Sequence, residues 1–119
     1  MAPKLEKGAF IFAHQKNFPV LGQIKKSDML FREEEGFTVI LPASTAKNLE
    51  NLWAKIILTI HSDLNAVGFL AAILPKLAQA GISVNVVSAY FHDHLFVPYK
   101  KRFKALKFLK SVNKNRHKK

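Results

Sequence analysis

Three of the five histidines, a pair of aspartates and one polar corner carry the chemistry that this chain could perform. His92 and His94 flank Asp93, so in an extended segment both imidazoles project to one side and the carboxylate to the other. With His61 they are the candidate metal ligands, because imidazole nitrogens bind zinc well. Two histidines at one hairpin are an incomplete set, and a turn capped by Asp93 accounts for the tripeptide equally well. No metal or other cofactor is therefore expected. A hydrolytic site would pair a histidine with Asp63 or Asp93 and with Ser62 or Ser88, but no nucleophile elbow and no spaced acid and base pair occurs. The expectation is a protein that is not an enzyme.

The second kind of chemistry is anion capture. Exposed amides at a helix N-terminus attract carboxylates, and a glycine there lets a ligand approach the backbone closely. Asn65, Ala66, Val67, Gly68 and Phe69 form such a corner, and Asn85, Ser88 and Tyr90 are polar candidates on the strand that follows. The structural alternative is that Gly68 lets the helix pack tightly on a sheet, while the polar residues line a subunit interface.

These residues need a frame, and residues 54–98 supply one. Residues 54–60 are apolar and β-rich, and Ser62, Asp63 and Asn65 are good N-caps for a helix starting near Ala66. Val67, Leu70, Ile73, Leu74, Leu77 and Ala78 recur at helical spacing, Gly81 closes the helix, and Pro75 should bend it. Residues 82–91 read as a strand with apolar residues on both faces. Val84, Val86 and Tyr90 line one face, and Val87 and Ala89 the other. His92 to His94 reads as a polar break, and Leu95 to Val97 as the returning strand. A right-handed crossover sets the 54–60 and 82–91 strands parallel.

In the N-terminal part, residues 8–13 and 37–41 read as strands. Phe18, Pro19 and Gly22 mark a loop, residues 32–36 a charged turn in which Glu33 to Glu35 are solvated, and residues 43–52 a polar loop with one helical turn. The core then lacks its last strand, and residues 9–13 or 37–41 are expected to cover the open edge.

Composition limits the partners. The 119 residues suit a single domain with its own core, and the absence of cysteine excludes disulfides and thiol chemistry. No apolar run reaches the roughly 20 residues that span a bilayer, so a soluble cytoplasmic protein without membrane contact is expected. The net charge is +11. Residues 99–119 hold ten Lys or Arg and no acid, whereas residues 1–98 hold nine bases against eight acids. The excess therefore sits on the last helix, where Phe103, Leu106, Leu109 and Val112 repeat every third residue as a packing side. Lys100, Lys101, Lys104, Lys107 and Lys110 are the candidate polyanion ligands, and nucleic acid is the alternative partner. Stacking on bases needs exposed rings, and the phenylalanines, Phe91 and Phe96 included, read as core. A solvated helix face with a disordered, solubilising tail explains the lysines more simply.

Arg32, Glu33, Glu35, Gly36 and Thr38 stand first in a longer pattern. Ile56, Leu58, His61, Ser62, Leu64, Ala66, Val67 and Gly68 follow, and then Gly81, Ile82, Asn85, Val86, Val87, Tyr90, His92, Asp93, His94, Phe96, Val97 and Pro98. This pattern resembles the small bacterial ACT-like domains of unknown function, across most of the chain up to Lys110. The resemblance implies an α+β, ferredoxin-like (ACT-like) βαββα core with additional N-terminal strands completing the sheet. It also implies a regulatory module that binds an amino acid or similar small effector at an interface. Where such regulators often read D-x-P-G, this chain has Asn65, Ala66, Val67 and Gly68. The expected organisation is one structural domain, with N-terminal strands at 1–52, the ACT-like core at 53–112 and a basic tail at 113–119. Helices on a single sheet face imply a homodimer or larger.

Overall fold

The structure, a computed structural model, describes residues 3–45, 51–59 and 66–117. It divides into two compact units, Gly8–Leu52 and Met1–Lys7 with Trp53–Lys119. In chain order the elements are β1 (Lys4–Leu5), β2 (Phe10–Gln15), α1 (Leu21–Lys26), β3 (Met29–Glu33), β4 (Gly36–Pro42) and a 3-10 turn (Ala43–Thr45). They continue with β5 (Trp53–Thr59), α2 (Ala66–Gln79), β6 (Asn85–Ser88), β7 (His92–Pro98), a 3-10 turn (Tyr99–Lys101) and α3 (Arg102–His117).

In the larger unit the strands lie in the order β1, β5, β7, β6, and each neighbouring pair is antiparallel. β5 and β6 both oppose β7 and are therefore parallel to each other, as the crossover through α2 requires. On β5 the pleat buries Ala54, Ile56 and Leu58. Phe69, Ile73 and Leu77 of α2 and Ala105 and Leu109 of α3 meet them, with Leu95 and Val97 of β7, in one core cluster. Both helices therefore cover the same sheet face. Each fully buried aliphatic side chain there contributes roughly 1.5–3 kcal/mol.

Local chemistry ends α2 where the sequence predicts. Gly81 takes φ +77° and its N–H donates to the Ala78 carbonyl at 3.0 Å, while the Ile82 N–H donates to the Leu77 carbonyl at 3.0 Å. That pair of bonds is the Schellman closure, and Ile82 and Leu77 share the core beneath it. The helix runs through Pro75. The predicted N-caps Ser62, Asp63 and Asn65 lie outside the described residues.

At Ile56 and Ile57 the outer edge of β5 is occupied by Lys4–Leu5. The Glu6 N–H donates to the Lys55 carbonyl at 2.9 Å, and the Glu6 carboxylate pairs with Lys55 Nζ at 2.6 Å. A strand of two residues has no alternation to read, so it escapes sequence analysis.

In the smaller unit the order is β3, β4, β2, again antiparallel. Glu33 pairs with Gly36 across a two-residue turn, Glu34 and Glu35, and all three glutamates are exposed as expected. Two expectations are corrected. Met29–Glu33, part of which reads as a charged turn, is a strand, held by its ladder to β4. Leu21–Lys26, read as a loop because of Gly22, is a short helix whose last turn carries Lys25 and Lys26 at the favourable end of its dipole.

Three further corrections concern the larger unit. β6 covers Asn85–Ser88 rather than residues 82–91, and β7 already begins at His92. The turn falls on Tyr90 and Phe91, with the Ala89 N–H donating to the His92 carbonyl at 2.9 Å. Two aromatic β-formers in the turn had lengthened the apparent strand. The helical backbone of α3 continues to His117, where composition predicts disorder from residue 113. Extending a formed helix adds one hydrogen bond per residue without a new nucleus.

The packing side of α3 also differs. Ala105 and Leu109 are buried, but Phe103 is 63% exposed. Each third residue on a helix falls back by about 60°, so a run of four such residues drifts halfway round the axis. Phe103 and Val112 cannot share a face.

Candidate functional site

β5 leaves the sheet at Thr59, and α2 must run back along the sheet to reach β6 at Asn85. The start of α2 therefore lies at the end where Leu58, Asp93 and Ser88 form one row across β5, β7 and β6. Leu58 belongs to the core beneath the helices, which places Asp93 and Ser88 on the helix-covered face. Asp93 is 8% exposed and is the buried charged residue among the described residues. Burying a carboxylate without compensation is costly, so its retention at this corner calls for a cationic or hydrogen-bonding partner.

Of the predicted ligand residues, Gly68 is exposed and Phe69 is buried in the core one position later. The first turn of α2 is thus anchored by a ring and open at a glycine. Ser88 is exposed at the same end of the sheet. Asn85 stands three residues back on β6, and by strand alternation it projects from the opposite face with Phe96 and Lys55. It does not join this corner. Tyr90 is 93% exposed at the tip of the β6 to β7 hairpin, where its ring meets Phe91 edge-on at 4.8 Å. Asn65 lies outside the described residues; Ala66 and Val67 supply the backbone of the first helical turn.

From the sequence Asp93 reads as a turn cap, and nothing in its spacing marks it as buried. Its burial follows from β7 starting at His92, which turns the carboxylate towards the helices.

The histidine pair lies on the other face. His92 and His94 have ring centroids 6.2 Å apart, and His94 Nδ1 is 3.2 Å from the Val87 carbonyl oxygen. Asp93 points away from both, and His61 lies outside the described residues. Among the described residues no group of three or more His, Asp or Glu is placed to hold a metal ion.

The lysine set divides by role. Lys101 donates through Nζ to the Gly81 carbonyl, and Lys104 through Nζ to the Ala80 carbonyl at 3.2 Å. Both neutralise the negative end of the α2 dipole. Lys100, Lys107 and Lys110 are exposed. Phe96 is buried as expected, at 2% exposure, but Phe91 is 75% exposed, which corrects its assignment to the core. Among the described residues no helix is long and apolar enough to cross a membrane.

Comparison with known proteins gives two family models, both described as ACT domain, matching residues 48–111 and residues 1–52. Among solved structures, a Vibrio cholerae protein of unknown function, described as a possible transport protein, is similar at 36% identity with a TM-score of 0.80. The alignment covers 92% of this chain and 88% of that one. No curated protein matches.

Proposed function

Because the chain belongs to the ACT-domain family, whose members are generally small-molecule regulatory modules, we propose that it is a non-enzymatic binding module for a free amino acid. Within this reading the larger unit is ferredoxin-like. β5, α2, β6, β7 and α3 supply five of the six elements, and β1 stands where the last strand belongs. The observation that carries the proposal is the meeting of opposite charges at one corner. The first-turn amides of α2 beside exposed Gly68 suit a carboxylate, and buried Asp93 on the facing strand row suits an ammonium group. An amino acid carries both groups. Ser88 adds a hydroxyl at the same end.

A thermal-shift screen over the common amino acids tests this. A ligand bound to the native state alone stabilises it, by about 2.7 kcal/mol at a hundredfold excess over Kd. The N-acetylated form of the best ligand is expected to give no shift, since acetylation removes the ammonium charge. If no amino acid raises the melting temperature, the proposal fails.

Self-association belongs to the same proposal, as a homodimer or larger. β6 is the last strand of its order, and Tyr90 and Phe91 stand exposed at its end. Large exposed apolar groups mark interaction sites. Sedimentation at micromolar concentration should show more than a monomer, with and without ligand.

A further inference from the structure

The outward side of α3 carries a groove of about 410 Å³ lined by Phe103, Leu106, Lys107, Lys110 and Ser111. The first four stand at positions i, i+3, i+4 and i+7 of one helix. Those are the four positions that form the hole receiving a knob from a facing helix. Ala105 and Leu109, which bind α3 to its own core, lie almost opposite on the helix wheel; of the lining residues only Leu106, at the edge of this second face, is also partly buried against that core, while Phe103, Lys107, Lys110 and Ser111 are exposed. Phe103 is held in place by the Arg102 guanidinium, 4.3 Å from its ring centroid. Arg102 is itself fixed by Tyr99, 3.7 Å from that ring and donating to the Tyr99 carbonyl at 2.8 Å.

We propose that this face of α3 is a docking surface for an acidic amphipathic helix of a partner protein. Charge selects the occupant. Residues 99–119 carry ten cations and no acid, and Lys107 and Lys110 form the rim of the apolar hole. A second copy of α3 would set lysine against lysine, which repels. A nucleic acid would answer the charge but leave the apolar hole unfilled, and a lipid surface, which could take up Phe103, offers no knob shaped to a four-residue hole. A helix with an apolar seam flanked by glutamates answers both, its knob seated between Phe103 and Leu106 and its carboxylates on Lys107 and Lys110.

The test uses the full chain and a fluorescein-labelled peptide of about three heptads, with Leu at a and d and Glu at e and g. Anisotropy in 150 mM salt, a concentration chosen because screening suppresses unspecific attraction beyond about 8 Å, should show saturable binding. Phe103→Ala is expected to weaken it about tenfold, as for a central anchor. Because Phe103 is largely exposed, that variant should keep its circular dichroism and melting temperature. Lys107→Glu with Lys110→Glu should weaken binding further and leave the fold intact. A shuffled peptide of the same composition has no seam and should bind at least tenfold more weakly. Equal binding of the shuffled peptide, or no effect of Phe103→Ala, overturns the proposal. So does tighter binding of phosphatidylglycerol vesicles or of a single-stranded oligonucleotide that is insensitive to Phe103→Ala.

Discussion

Replacing Gly36 with alanine should lower the stability of the chain by about 2–4 kcal/mol, from the sum of backbone strain and steric overlap. Gly36 opens β4 at φ +138°, a conformation that residues with a Cβ rarely adopt. A Cβ placed there would lie 2.5 Å from the Gln15 carbonyl oxygen and 3.0 Å from Lys16 Cα. Both are backbone atoms of the neighbouring strand and its exit. Gln15 is in register with Phe37, so moving that oxygen away would break the β2 to β4 ladder at its end. Neither cost can be relieved by a rotamer change. Gly8 supplies the control: its φ is +87°, but nothing lies within 4 Å of the Cβ position. Gly8→Ala should therefore cost only the conformational part, about 1 kcal/mol. Urea denaturation of both variants separates the two effects. A loss at Gly36 no larger than that at Gly8 would show that the overlap is harmless.

Under the proposed amino-acid binding, Asp93→Asn should erase the ligand-induced rise in melting temperature and, without ligand, should leave the protein more stable by about 0.5–2 kcal/mol. The asparagine keeps the shape and the acceptor oxygen but removes a charge from a position that water barely reaches. Calorimetric melting of the wild type and the variant, each with and without the best amino acid, gives both numbers. A variant that still responds to ligand would remove Asp93 from the site. A variant destabilised without ligand would instead make Asp93 a structural acceptor.

Most of the frame around this corner could be read from residue order. The apolar spacing of α2 and the glycine at position 81 foretold both the helix and its Schellman end. The crossover rule foretold that β5 and β6 are parallel. Charge counting placed the cations on α3, and family resemblance led to the same ACT-domain assignment as the family models. The corner itself was only half visible. Gly68, Phe69 and Ser88 are legible as candidates from residue type and order, but so is Asn85, which strand alternation sets on the face opposite Ser88 whether the strand spans 82–91 or 85–88. The misplaced turn conceals Asp93 instead: a strand drawn to residue 91 puts residues 92–94 in the turn, and one residue of register decides whether a side chain faces the helices or the far side of the sheet.

Periodicity and capping are local, and a chain of this order carries them wherever it lies. Residue order therefore determined by itself the kinds of element, the closure of α2, the segregation of positive charge and the family. Pairing between distant segments is not local. Tertiary structure alone decided that Lys4–Leu5 lies against Ile56 and Ile57, that β7 begins at His92 and buries Asp93, and that Phe103 faces outward with its lysines. Each outcome depends on which long-range contacts release the most apolar surface from water. A run of two residues, a turn between aromatic residues and a three-residue repeat on a helix of 3.6 residues per turn do not record that balance.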